Sequence, residues 1–164
     1  MPTELKFEQG NTATAIAIMN QVAAWCETKQ YNMWKPHELT LEVLLQNRTR
    51  DHFYVATSKG EPIAAMILDW QDPKFWPDCP ANDAVYLHKL CVLPNFTGNG
   101  ISGAMVDFAR QICRINSKNY LRLDTGADHP KLCAMYQRLG FRHVANREIG
   151  AKLFALFEMV IQSA

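Results

Sequence analysis

The sequence predicts one α/β domain spanning residues 1–164. Three observations carry that expectation. Runs of strand length alternate along the chain with segments of helical period. A turn signal, Ser58-Lys59-Gly60, joins two of the apolar runs, so part of the sheet is antiparallel. A balance of 48% hydrophobic and 20% charged residues over 164 positions is that of a folded chain with one sizeable core.

The segment "ELKFEQG" is short and roughly alternating, a first strand. Residues 11–30 carry Ile16, Met19, Val22, Ala23 and Cys26 at helical spacing and predict the first helix. "KQYNMWKP" interrupts it, and "HELTLEVLLQNR" predicts a second helix with Leu41, Leu44 and Leu45 on one face. "HFYVATSKGEPIAAMILDW" reads as strand, turn and strand. "QDPKFWPDCPAND" is a proline-rich loop, and "AVYLHKLCVL" is the fourth strand. Ile101, Ala104, Met105, Phe108, Ala109, Ile112 and Cys113 then follow helical spacing without a miss, with Ser102, Asp107, Arg110, Gln111 and Arg114 on the other face. "YLRLDT" is a short strand. "HPKLCAMYQRLG" is a helix, with Pro130 suited to its first turn and Gly140 to its stop. "FRHVANRE" and "LFALFEMVI" are the last strands.

Composition excludes several classes. A formal net charge of +1 provides no broad basic field, so nucleic acid is not an expected partner. No apolar run approaches the ~20 residues of a membrane span, so no membrane association is expected. The first fifteen residues lack the basic and apolar segments of a signal peptide. Five scattered cysteines, without a C-x-x-C pair, read as reduced thiols in a cytoplasmic protein. No histidine pair has metal-ligand spacing, and no metal is expected.

Gly98, Gly100 and Gly103 form a G-x-G-x-x-G pattern between a strand and a helix, where backbone N–H groups gather at a positive helix end and bind phosphate. A Walker loop requires Lys-Ser/Thr after its last glycine, and Gly103 is followed by Ala104-Met105. A dinucleotide fingerprint would use Asp124 as its ribose carboxylate. Against it, Pro94-Asn95-Phe96-Thr97 separate the strand from the first glycine, and only 40 residues follow Asp124. An NAD(P)-binding oxidoreductase therefore stays a remote alternative.

The window Asn95-Phe96-Thr97-Gly98-Asn99-Gly100 resembles the Q/R-x-x-G-x-G/A signature of the GNAT superfamily of acyl-CoA-dependent N-acyltransferases. A second block is independent of the glycines: "HPKLCAMYQRLGF" is similar to the family's fourth helix, with Tyr136 and Leu139-Gly140-Phe141 in the matching places. The resemblance is specific over residues 85–145. Asn95 stands where Gln or Arg is usual, and His129 where an Asn is frequent.

This resemblance implies a twisted mixed, mostly antiparallel sheet of six to seven strands with helices on both faces. It implies acetyl-CoA as cosubstrate and a primary amine as acceptor, more in keeping with a small molecule than a protein, joined in a ternary complex; family members are often homodimers. The pantetheine arm would lie along splayed strands and bond to backbone groups around Leu90, Cys91 and Val92, one N–H of which would polarise the thioester carbonyl. The pyrophosphate would meet the loop from Asn95 and Thr97 through Gly98, Asn99, Gly100, Ile101, Ser102 and Gly103. His129 would contact the cofactor arm or the loop. A non-catalytic acyl-CoA-binding module on the same fold is the other reading.

Tyr136 is the expected acid for the departing thiolate, a role typically worth ~10²–10⁴-fold. It also shares a helix face with Leu132 and Leu139, which suits packing equally. The acceptor amine is mostly protonated at neutral pH, and His88, where many relatives carry Glu, is the expected base; water or a backbone-satisfied histidine is the bland alternative. Cys91 suggests an acyl-enzyme only if a base reaches it, and regular alternation would place His88 on the opposite strand face. Trp25, Tyr31, Trp34, Phe75 and Trp76, with Glu27, Asp72 and Asp78 nearby, are candidates for acceptor specificity or for packing.

Overall fold

The structure, a computed structural model, describes residues 4–31 and 33–161. Its elements are β1 (Lys6–Gln9), α1 (Thr12–Thr28), the single-turn α2 (Leu41–Leu44), β2 (Phe53–Ser58), β3 (Glu61–Asp69), β4 (Ala84–Val92), α3 (Ile101–Ile115), β5 (Tyr120–Gly126), α4 (Pro130–Arg138), β6 (Arg142–Ile149) and β7 (Lys152–Val160). The strands follow the order β1-β2-β3-β4-β5-β7-β6 in a seven-stranded mixed sheet. The β4–β5 pair is parallel, and the pairings β1–β2, β2–β3, β5–β7 and β6–β7 are antiparallel. Packing groups the chain into two compact units, Met1–Leu68 with Lys89–Met105, and Asp69–His88 with Val106–Ala164.

In the first unit, Ser58 pairs with Glu61, leaving Lys59-Gly60 as a two-residue turn. Both turn residues are left-handed, with φ 52° and 79°, the combination whose twist matches the flanking strands. The Asn11 side chain caps α1 by accepting from the Thr14 N–H at 3.1 Å. Ile18, Met19, Val22 and Cys26 then bury one helix face with Phe53, Val55, Ala65 and Ile67 of the hairpin.

The second helix is much shorter than its periodicity predicts. Thr40 caps α2 through the Val43 N–H, but only Leu44 on that turn is buried. Leu41 and Val43 stay 42% and 40% exposed. Without a buried stripe, a short helix has little to offset its nucleation cost, and one turn is what forms. Of the interrupting segment before it, Asn32 lies outside the described residues.

In the second unit, β4 and β5 run in register from Ala84↔Tyr120 to Leu87↔Leu123. β7 follows with Tyr120↔Val160 to Gly126↔Phe154. Alternation puts Tyr86 and His88, with Arg122, Asp124, Leu156 and Glu158, on one side of these strands. Phe75 and Trp76 of the loop before β4 pack there with Ala84, Tyr86 and Leu156. α4 lies against the other side, where the Tyr136 ring meets Phe157 at 6.2 Å.

The "YQRLGF" end of α4 has a definite geometry. Gly140 takes φ +104°, its N–H donates to Gln137 O, and the Phe141 N–H reaches back to Tyr136 O at 3.0 Å. This is a Schellman stop, and the Tyr136–Phe141 ring contact at 5.8 Å is its apolar clasp.

Candidate functional site

β4 leads into the glycine loop. The Leu93 N–H donates to Ile63 O at 2.8 Å, and Pro94–Phe96 make one 3₁₀ turn. The Thr97 hydroxyl donates to Pro94 O at 2.9 Å, and the Asn99 amide donates to Phe96 O at 3.1 Å. These side chains therefore shape the loop from within. Gly98 and Gly100 are left-handed, with φ +84° and +75°, a conformation that side chains other than glycine adopt at a cost. A Cβ at either would meet nothing within 4 Å, so both face open space. Ile101, Ser102 and Gly103 open α3, whose 15 residues supply a full helix dipole. Gly103 is thus part of the helix, while Asn95 is exposed in the preceding turn.

Within β4, Lys89 has φ +56°, a left-handed lysine inside a strand. Such outliers cluster at functional sites. The regular alternation expected between His88 and Cys91 is broken there. Leu90 and Val92 are half-buried. Cys91 is buried, its thiol donates weakly to Ala65 O at 3.8 Å, and burial pushes it up to about 12. At neutral pH it carries essentially no thiolate, so it is not a nucleophile.

His88 is the centre of a polar cluster in the second unit. Its Nε2 lies 3.3 Å from Asp72 Oδ2 and 3.5 Å from Asp69 Oδ2, and its Nδ1 lies 3.9 Å from Asp124 Oδ1. The His88 side chain is 17% exposed, and the three carboxylates are 7–12% exposed. Asp72 is fixed by the Phe75 N–H, which donates to its Oδ1 at 3.1 Å. Its Oδ2 is buried and accepts no hydrogen bond among the described residues. Donor atoms of Asp72, His88 and Asp124 all lie within 4.8 Å of one another, close enough to share one cation.

Sequence reasoning named His88 as the expected base, named Asp72 only as a neighbouring carboxylate, took Asp124 as a dinucleotide decoy and did not name Asp69. The available signal for Asp69 was an acid ending the apolar run "IAAMILD".

Tyr136 is buried, ringed by Phe141 and Phe157. His129 caps α4 without a side-chain capping bond and sits over Gly126, where an added Cβ would lie 2.7 Å from its ring. The specificity candidates divide. Glu27, Tyr31 and Trp34 line a small groove beside α1, with Lys89 Nζ 4.9 Å above the Trp34 ring. Phe75 and Trp76 are buried packing residues, and Asp78 is exposed and paired with Arg147.

Sequence reasoning also missed Arg122, which is 4% exposed. Its Nε donates to Glu158 Oε2 at 2.8 Å and its Nη1 to the Tyr86 hydroxyl at 3.1 Å. Burial alone would make it easier to deprotonate; the Glu158 and Tyr86 bonds outweigh burial and raise its pKa.

Residues 18–141 match the family model described as the acetyltransferase (GNAT) family, and the chain belongs to that family. It is 25% identical over 161 residues to the uncharacterized N-acetyltransferase YesJ of Bacillus subtilis, covering 90% of this chain and 84% of that one. A GNAT-family acetyltransferase structure from Listeria monocytogenes superposes with TM-score 0.74 at 23% identity, over 96% of this chain and 94% of that one. The ribosomal-protein-S18-alanine N-acetyltransferase of Escherichia coli gives TM-score 0.71 at 15% identity, over 98% and 96%. These two share the fold. No helix among the described residues is long and apolar enough to cross a membrane.

Proposed function

We propose that this protein moves an acetyl group from acetyl-CoA to a primary amine by direct transfer. The observation that carries the proposal is the loop: two left-handed glycines facing open space, immediately before a 15-residue helix, inside the family match. Anions favour such a helix start, and the coenzyme A pyrophosphate is the anion this reading places against the amides from Gly98 to Gly103. The backbone of Leu90, Cys91 and Val92 is the proposed track for the pantetheine arm. The left-handed Lys89 just before it supports a strand re-aimed for a non-sheet partner.

In the proposed reaction, the acceptor ammonium gives one proton to His88. The neutral amine attacks the thioester carbon, the C–N bond forms, the nitrogen loses its second proton to water, and the C–S bond breaks. Tyr136 protonates the departing sulfur and is reprotonated from solvent. The balance is one acetamide, one free thiol and one released proton. The pKa of about 12 at Cys91 argues against an acyl-enzyme. Five free cysteines fit a reducing compartment such as the cytoplasm.

Thiol release from acetyl-CoA with a panel of amines tests the proposal. Amine-dependent thiol release is the expected result. Binding of acetyl-CoA without thiol release from any amine would convert the reading to a non-catalytic module. Thermal stabilisation by NAD and not by acetyl-CoA would overturn it.

A further inference from the structure

We infer that Asp72, His88 and Asp124 form a binding site for a divalent transition-metal ion of the zinc type, and that an ion held there blocks acetyl transfer. The blocking role rests on the acetyl-transfer reading of His88; the metal site itself does not.

Donor geometry leads to it. One carboxylate oxygen of Asp72, one ring nitrogen of His88 and one carboxylate oxygen of Asp124 all lie within 4.8 Å of one another. Ligands of a tetrahedral zinc ion, each at ~2.0–2.2 Å, stand ~3.3–3.6 Å apart. The 3.3 Å between His88 Nε2 and Asp72 Oδ2 already matches such an edge, and about an ångström of side-chain movement closes the others. Asp72 adds an independent sign. Its side chain is 7% exposed and anchored at Oδ1 by the Phe75 N–H, with Oδ2 directed at His88. That buried oxygen accepts no hydrogen bond among the described residues. Buried polar atoms are nearly always satisfied, and a cation beside the imidazole satisfies this one. Linear spacing hides the set, because its donors come from the loop before β4, from β4 and from β5.

The donors select the ion. Calcium and magnesium take oxygen shells, whereas an imidazole nitrogen beside carboxylates suits zinc and its first-row neighbours. Three protein donors leave a fourth position open, as in zinc sites that bind water or substrate. Carboxylates also flank both ring nitrogens, with Asp69 at 3.5 Å from Nε2 and Asp124 at 3.9 Å from Nδ1. Whichever nitrogen takes the ion, the other has a carboxylate near enough to orient the ring, the usual arrangement behind a ligating histidine. Metal and amine then compete, because the lone pair of neutral His88 goes to the ion instead of to the acceptor's proton.

The full chain, stripped with EDTA and desalted, is the material for the test. Calorimetric titration with ZnCl₂ is expected to find one ion per chain, and MgCl₂ to give no heat above dilution. Asp72→Asn and, as a second variant, Asp124→Asn are each expected to weaken zinc binding about tenfold or more. Co²⁺ in place of zinc should give visible bands without thiolate charge transfer, which excludes the free cysteines as ligands. In thiol release from acetyl-CoA, added ZnCl₂ should slow the reaction and EDTA should restore it. Absence of zinc binding, binding that neither variant weakens, or thiolate charge transfer overturns the site and leaves acetyl transfer standing. A preference for Mg²⁺ overturns the assigned ion class. Zinc bound at these residues without slower thiol release overturns the blocking role. Zinc binding weakened by both variants, with no thiol release from any amine even in the metal-free protein, supports the site while acetyl transfer falls.

Discussion

Arg122 and Asp124 stand two residues apart on the same side of β5, and the clusters around them are built in different ways. Around Arg122 every strong charge has an answer. Glu158, its register partner on β7, takes Nε, and Tyr86, its register partner on β4, takes Nη1. Asp83 approaches Nη2 at 3.8 Å, and the Tyr120 and Trp76 rings lie 4.5 and 5.1 Å from the guanidinium. Around His88, three carboxylates lie within 3.9 Å of one imidazole. A buried ion pair with its partners in place serves the fold, whereas acids gathered around a histidine suit proton transfer. The same sheet face thus carries a structural cluster and, beside it, a candidate reaction centre.

The contrast sets the order of expected effects. His88→Ala should lower kcat/KM for amine acetylation by ~10²–10⁴-fold, the usual worth of a general base, with little change in the urea midpoint. Arg122→Ala should do the reverse. Removing one partner of a buried pair costs ~3–5 kcal/mol, so urea denaturation should show a large loss of stability. Equal stability losses in the two variants would erase the distinction between the clusters. Gly126→Ala is a smaller structural perturbation at the end of the same strand. The new Cβ would meet Asp128 Oδ1 and the His129 ring, both at 2.7 Å, for an expected cost of ~1–3 kcal/mol in the same urea titration.

The smallest effect concerns Cys91. Its thiol is raised from 9.0 to about 12, so folding favours the neutral form. Its contribution to stability is complete below pH 9 and is lost as pH climbs toward 12. In the native protein Cys91 should resist iodoacetamide at pH 8–9, while the urea-unfolded chain reacts. Mass spectrometry after incubation with acetyl-CoA alone should find no acetyl group on it.

Much of the fold was legible because its signals are local. The i, i+3, i+4 series from Ile101 to Cys113 fixes α3, and the Ser58-Lys59-Gly60 signal fixes the β2–β3 hairpin. Gly140 marks the end of α4, although only the structure shows that Phe141 clasps Tyr136 there. The second helix was over-read because spacing cannot tell whether Leu41 and Val43 have anything to bury against. The glycine loop and His88 were legible as motif and position. The carboxylates were not, because Asp69, Asp72 and Asp124 come from the end of β3, the following loop and β5. Arg122 escaped for the same reason: its partners lie 36 residues away on either side.

Steady-state thiol release by Asp72→Asn, an isosteric change at an oxygen that accepts no hydrogen bond among the described residues, bears most closely on the role assigned to the His88 cluster. The expected result is a fall of about tenfold or more in kcat/KM for the amine acceptor, with the KM for acetyl-CoA and the melting temperature nearly unchanged. An unchanged kcat/KM for the amine would contradict that role.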